Sequence, residues 1–382
     1  MKLENPFVTF GYASPEYFCD RVEETAKLVS AIANDRNVTL IAPRRLGKTG
    51  LIKNVFHQLQ AADAAQCVYV DLYATHNLND FITSFATQVF AGLENGWERA
   101  ARVATQFVKG FRPNVSIDPM LGTPTFSFDV VAGGGAEMTL KQIFDYLETK
   151  KKKVVIALDE FQQVTEYHEK GVEGLLRSFI QFAAGTRFIF AGSRRHMMED
   201  MFMATNRPFY HSTQIVKIGE IDMLKYYEFA DSWFKKGASL LPEAVFFAVY
   251  RKFAGITWNV QQMLNRLYEI RSKTITTDDV SRVIGMLVDE FSDEYARTMN
   301  DCHPNDCVLA KAIAKEGCVA SLHASEFAKK YLLPPPSSVN LSIERLLAKQ
   351  IVYKTEKGYV IYDRLMGIWL AGFADTANRK MI

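Results

Sequence analysis

The stretch Val38–Leu51, VTLIAPRRLGKTGL, joins an apolar run, a tight basic loop and a Gly-Lys-Thr triplet. Val38–Ala42 reads as a buried strand, Pro43–Gly47 as a loop, and Lys48-Thr49 as the opening of a helix that runs to about Leu59. In that context the N–H groups of the loop and of the helix start turn inward onto phosphate oxygens. Lys48 adds a mobile cation, and the Thr49 hydroxyl is a ligand of suitable hardness for Mg2+. The expected phosphate-contacting set is Ala42, Pro43, Arg44, Arg45, Leu46, Gly47, Lys48, Thr49 and Gly50. Ala42 stands where such loops usually carry their first glycine. Gly47 is kept at the point where backbone must approach phosphate closely.

A second constellation follows the run VVIAL, Val154–Leu158, which ends in Asp159-Glu160. An acidic residue at a strand end can hold Mg2+, and a second carboxylate beside it can polarise water for attack on a terminal phosphate. The expected metal set is therefore Thr49 and Asp159, with Glu160 as the base. Ser193 follows the run RFIFA, Arg187–Ala191. It either touches the reacting phosphate or its water, or serves as an ordinary cap for a helix over His196–Phe202. Arg194 and Arg195 could bring positive charge to a transition state or contact a partner. The expected catalytic set is Lys48, Glu160, Ser193, Arg194 and Arg195.

These residues need a frame to bring them together. Further apolar runs at Cys67–Leu72 and Gln214–Ile218, and helical periodicity at 16–33, 77–93, 140–147 and 171–183, alternate with the three runs above. Short buried strands alternating with helices predict a parallel sheet covered on both faces, with ligands at the carboxyl ends of its strands. The motifs at 42–49, 159–160 and 192–193 all fall at such ends. Residues 110–136 break the rhythm and read as a β-hairpin insertion, with Pro119–Pro124 at its tip and a loose end at 133–135. Residues 221–300 read as all-helical, with Thr276–Asp279 capping the last helix. Helices near 307–315, 325–332 and 338–349, then a hairpin turning at 356–358, follow the order of a winged helix. The expected domains are 1–220, 221–300 and 301–382.

The segments FCDRVEETAKL, APRRLGKTGLI, VVIALDEFQQ, IFAGSRRHMM and YVIYDRLMGIWL resemble the prokaryotic AAA+-related ATPases of the archaeal-ATPase and STAND group, over almost the whole chain. The resemblance implies an α/β P-loop NTPase core of the additional-strand type, with Ser193 on the strand between those of Lys48 and Asp159, a helical lid and a C-terminal winged helix. It also implies that the segment around Phe18, Asp20 and Arg21 lies near adenine. Two arginines common in relatives are missing, from the string 208–212 and from Gly255–Asn259. Hydrolysis would then be slow, or would depend on Arg194, Arg195 or a partner's residue. No NKxD-type guanine motif is present, which favours ATP.

The leading expectation is an Mg-ATP-dependent conformational switch in which nucleotide sets the position of the winged helix. One rival is an ATP-regulated duplex DNA-binding protein similar to archaeal origin-recognition initiators, with Arg345, Lys349, Lys354 and Lys357 as its cations, offset by Glu344 and Glu356. Another is a nucleotide-loaded scaffold with little turnover. A protein partner at the winged helix and a homo-oligomer both stay open. Across 382 residues the net charge is +2, so any nucleic-acid site must be a local patch. No secretory pattern or membrane-spanning run is visible, so the expected location is the cytoplasm. Five scattered cysteines argue against a disulfide framework. Cys302, Cys307, Cys318 and His323 have tolerable zinc spacing, but the segment between them reads as regular helix.

Overall fold

The computed structural model describes residues 3–108, 111–117, 124–130 and 135–372. Its strands are β1 (Val38–Ile41), β2 (Gln66–Asp71), β3 (Phe111–Ile117), β4 (Pro124–Val130), β5 (Val154–Asp159), β6 (Thr186–Gly192), β7 (Gln214–Lys217), β8 (Val352–Thr355) and β9 (Gly358–Ile361). The chain divides into two compact units, one over Phe10–Ile221 and one that joins the residues up to Thr9 with those from Asp222 onward.

In the first unit, five parallel strands form a sheet in the order β2-β5-β6-β1-β7. β6 lies between β1 and β5, as the additional-strand arrangement requires. The helices are α1 (Val22–Ala33), α2 (Lys48–Ala61), α3 (Leu78–Leu93), α4 (Trp97–Phe107), α5 (Ala136–Glu148), α6 (Val172–Ile180) and α7 (Arg195–Met203). β5 shows why these strands read as unbroken apolar runs. Val154, Ile156 and Leu158 enter one hydrophobic cluster, with α3, α5, α6 and α7, and Val155 and Ala157 enter another, with α1 and α2. The period is still two, but both faces are dry. Ile41 is level with Gly192 and Asp71 with Asp159, so the carboxyl ends that carry the motifs stand side by side.

Three local differences from the sequence expectation have physical causes. The helix expected from Glu16 begins only at Val22, after a short 3-10 turn at Pro15–Tyr17, because Asp20 and Arg21 take left-handed backbone conformations. α4 is absent from the sequence expectation although its apolar positions recur at helical spacing; its buried residues are the small Ala100 and Ala104. The antiparallel β3–β4 pair realises the expected insertion, while its tip at 118–123 and the segment 131–134 lie outside the described residues.

The second unit holds α8 (Met223–Lys236), α9 (Glu243–Lys252), α10 (Thr257–Glu269), α11 (Thr277–Asn300), α12 (Pro304–Glu316), α13 (Ser325–Lys330), α14 (Pro336–Ala348) and α15 (Arg364–Ala371). Thr276 and Asp279 form a reciprocal capping box on α11. β8 and β9 pair as the wing, and Val319 bridges to Tyr359 beside them. Phe7 is fully buried among Phe229, Phe234 and Tyr268, and the amides of Asn5 and Asn265 each bond backbone across this contact. These first residues therefore group with the helices rather than with the sheet. The packing is also continuous across the expected boundary at 300. Tyr295 on α11 packs at a tilt against Trp369 of α15, and its hydroxyl donates to Asp363, the cap of α15.

Candidate functional site at the carboxyl edge of the sheet

β1 ends in a loop that the chain can close only through two left-handed residues, Arg45 and Gly47 (φ 68° and 88°). Gly47 is the N-cap of α2, so Lys48 and Thr49 open the helix. The methyl of Ala42 is buried in the α1/α2-side cluster with Leu40 and Leu51, so the departure from glycine is absorbed by the core. Arg21, itself buried, fastens the loop from outside. Its guanidinium donates to the carbonyl of Leu46 (3.1 Å), to that of Gly219 beyond β7 (2.7 Å), and to Glu24 (2.9 Å).

The end of β5 is adjacent. The Thr49 hydroxyl donates to Asp159 Oδ2 (3.0 Å), the Tyr69 hydroxyl donates to the same oxygen (2.6 Å), and Asp159 Oδ1 accepts from the Glu160 N–H (2.9 Å). Burial and the Asp159 charge both push the Tyr69 phenol well above its ordinary range, so it stays a donor. The chain then turns sharply, with Glu160 at φ 53°. Glu160 Oε2 accepts from Ser193 Oγ (2.7 Å), Gln162 Nε2 (2.5 Å) and Ser193 N–H (3.4 Å). Glu160 Oε1 lies 3.9 Å from Lys48 Nζ. Arg44 Nε donates to Ser193 Oγ (3.2 Å), which links the loop to β6.

Electrostatics follow from this packing. Burial lowers the Lys48 pKa, and the Asp159 and Glu160 charges work against it. Burial alone would raise the Glu160 carboxyl. Lys48, the Gln162 and Ser193 donors and Arg44 outweigh it and hold the group below its usual value. Glu160 is thus an ionised acceptor at neutral pH.

Lys48, Thr49, Asp159, Glu160, Ser193 and Arg44 are therefore brought together. Ser193 is not the helix cap: α7 starts at Arg195 behind Arg194, and the Ser193 hydroxyl is spent on Glu160. Arg194 pairs with Glu166, and Arg195 with Glu199, which also holds Lys217. The Phe18 ring lies against Gly50, 3.2 Å from where a Cβ would stand, and edge-on to Tyr12, whose hydroxyl reaches Asn54 at the next turn of α2. Tyr69 was not singled out from sequence, and Gln162 appeared only within the string VVIALDEFQQ that carries the family resemblance. No sequence signal marks Tyr69, which lies inside the run CVYVDL, level with Ala157 of β5.

The winged-helix cations are arranged otherwise. Arg345 on α14 grips the buried Asp306 carboxylate through two nitrogens (2.9 and 2.5 Å), and Lys349 Nζ donates to the Asp301 carbonyl (2.6 Å). Among the described residues no group of three or more His, Cys, Asp or Glu side chains is placed to hold a metal ion. The thiols of Cys302 and Cys307 donate to the carbonyls of Thr298 and Met299, and the His323 ring meets Asn340.

Residues 18–263 match the family described as an ATPase domain predominantly from Archaea. The chain belongs to that family. Residues 293–372 match a probable winged helix domain, which begins within α11. No curated protein matches the chain. Among solved structures, the Walker-type ATPase PABY2304 of Pyrococcus abyssi is 17% identical with a TM-score of 0.67, over 96% of this chain and 99% of its own. The Aeropyrum pernix ORC2 protein, in ADPNP–ADP complexes, is 13% identical with a TM-score of 0.60, over 97% and 96%. The Aeropyrum pernix ORC1 protein, in complex with DNA, is 14% identical with a TM-score of 0.53, over 98% of both. At these identities the likeness is one of fold: a P-loop ATPase core of the archaeal type with a winged helix. No helix among the described residues is long and apolar enough to cross a membrane.

Proposed function

We propose that the protein binds Mg-ATP at the sheet edge, hydrolyses it, and uses the bound state as a switch for its winged-helix domain. The observation that carries this reading is the convergence of Lys48, the Thr49–Asp159 pair and the ionised Glu160 at the ends of β1 and β5. The donor set suits magnesium: a hydroxyl and a carboxylate oxygen 3.0 Å apart, both hard ligands. Thr49 and Asp159 would hold the ion, which when bound neutralises charge on phosphate oxygens.

Each residue then has a distinct part. Loop N–H groups and the Lys48 ammonium bind phosphate oxygens. Tyr69 and the Glu160 N–H fix the Asp159 carboxylate so that it does not wander. Glu160, with Oε2 saturated by donors, offers Oε1 to accept a proton from attacking water. Ser193, held by Arg44, orients that carboxylate. The segment around Phe18, Asp20 and Arg21 lines the base side. The missing arginines make turnover slow or dependent on another chain's arginine. We further propose an ATPase core up to about residue 220, a helical lid and a winged helix as the working parts.

DNA contact is the second reading, favoured by the exposed wing residues Lys354 and Lys357. Arg345 and Lys349 are already committed within the domain, which favours a protein partner over DNA. Titration of Lys48→Ala and Glu160→Gln proteins with ATP tests the main proposal. Lys48→Ala should lose at least about 100-fold in affinity. Glu160→Gln should keep affinity and lose about 100-fold or more in phosphate release. A Lys48→Ala protein that binds ATP like wild type would overturn the proposal. Phosphate release as low in wild type as in Glu160→Gln would reduce it to a scaffold.

A further inference from the structure

Lys48 and Glu160 are opposite charges in one buried site, yet they do not close on each other. Their nearest atoms stand 3.9 Å apart, beyond hydrogen-bond reach. What holds the carboxylate back is visible. Both Ser193 and Gln162 donate to the far oxygen, Oε2, so the side chain is tethered on the side away from the ammonium. Gln162 is 2% exposed, and its own Oε1 is buried without a partner. A buried amide that leaves its carbonyl unsatisfied is costly, so the position is over-determined by its surroundings. Gly192 supplies the room: a Cβ there would stand 2.3 Å from Gln162 Oε1 and 2.5 Å from Met198 Sδ.

We propose that Gln162 is a positioning residue that keeps Glu160 off Lys48, so that the ammonium stays available to phosphate. This rests on the nucleotide-binding reading above and specifies how the site stays receptive to phosphate. A carboxylate freed from its tether would close on the nearest cation, and phosphate would have to compete with it. Ser193 shares the tether, and Arg44 secures Ser193 from the loop.

A double-mutant cycle read by equilibrium binding of ATP and of ADP, with no hydrolysis needed, tests this. Gln162→Met keeps the bulk and removes the donor, and should weaken both nucleotides by about 5- to 10-fold. In a Glu160→Ala background, where no carboxylate can close on Lys48, the same substitution should change affinity less than about twofold. Gly192→Ala, whose methyl would press on Gln162 Oε1 and on Met198, should reproduce the loss in the Glu160 protein and not in Glu160→Ala. A loss of equal size in both backgrounds would make Gln162 a merely structural residue and overturn the proposal, as would Gln162→Met binding indistinguishable from wild type. Wild-type protein that binds no nucleotide would instead sink the functional reading, and this inference with it.

Discussion

Two cation–carboxylate pairs in this molecule look alike on paper and behave in opposite ways. In the winged-helix domain, Arg345 closes on the buried Asp306 with two short bonds and a third to Ser342. At the sheet edge, Lys48 and Glu160 stay 3.9 Å apart while hydroxyl and amide donors occupy the carboxylate. A closed, fork-shaped pair satisfies itself and has nothing left for a ligand. An open pair, tethered by neutral donors, keeps both charges in reserve. The lesson is that counting basic residues on a recognition helix overstates what it offers. A buried lysine held short of its partner is the stronger sign of a site.

The comparison breaks most sharply at the sheet edge. Asp159→Asn removes the proposed metal ligand but leaves acceptor geometry for Thr49 and Tyr69. Mg2+ dependence of ATP affinity should fall by at least about 100-fold, while the thermal midpoint moves by less than about 4 °C. Isothermal titration with and without Mg2+, beside a melting curve, checks both halves. If the melting point collapses and affinity does not, Asp159 is a structural residue and not the metal's holder.

Asp306→Asn should do the reverse. Burial would raise this carboxyl, but donors from Arg345 and Ser342 and the Arg345 charge outweigh burial and hold its pKa below the usual 3.8. A carboxyl depressed in the folded state contributes stability that is complete above its unfolded pKa and is lost as pH falls through the folded one. Wild type should therefore lose winged-helix stability below about pH 4. Asp306→Asn should melt lower at pH 7 by roughly 4 °C or more and show a flatter acid profile. Nucleotide affinity at pH 7 should not change.

The smallest effect is expected at the wing. Lys357→Ala should leave melting and ATP binding unchanged. If duplex DNA is a partner, the salt slope of a mobility shift should drop by about 1. If a protein is the partner, no shift is expected at low salt in either chain.

Chain-local patterns were legible because their physics is local. A run of apolar residues, a loop with Gly47, and Lys48-Thr49 at a helix start specify one another within a few positions. The same holds for VVIAL followed by Asp159-Glu160, and for the Thr276–Asp279 cap. The place of β6 between β1 and β5 was implied once the family resemblance was drawn. α4 was missed although its apolar positions recur at helical spacing, because its buried residues are alanines rather than large side chains.

What only the tertiary structure decided lies in contacts between residues far apart in sequence. Nothing near Tyr69 says that its hydroxyl meets Asp159, 90 positions on. The sequence left Ser193 open between helix cap and phosphate contact; packing gave its hydroxyl to Glu160. Arg345 read as a free cation until folding set Asp306 beneath it. Phe7 joined the helical unit because its ring found a dry pocket there and nowhere along its own neighbourhood. Charge and shape along the chain set what each residue is able to do. Which partner it meets is settled by the fold, because hydrogen bonds and ion pairs act over a few ångströms of space and take no account of distance along the backbone.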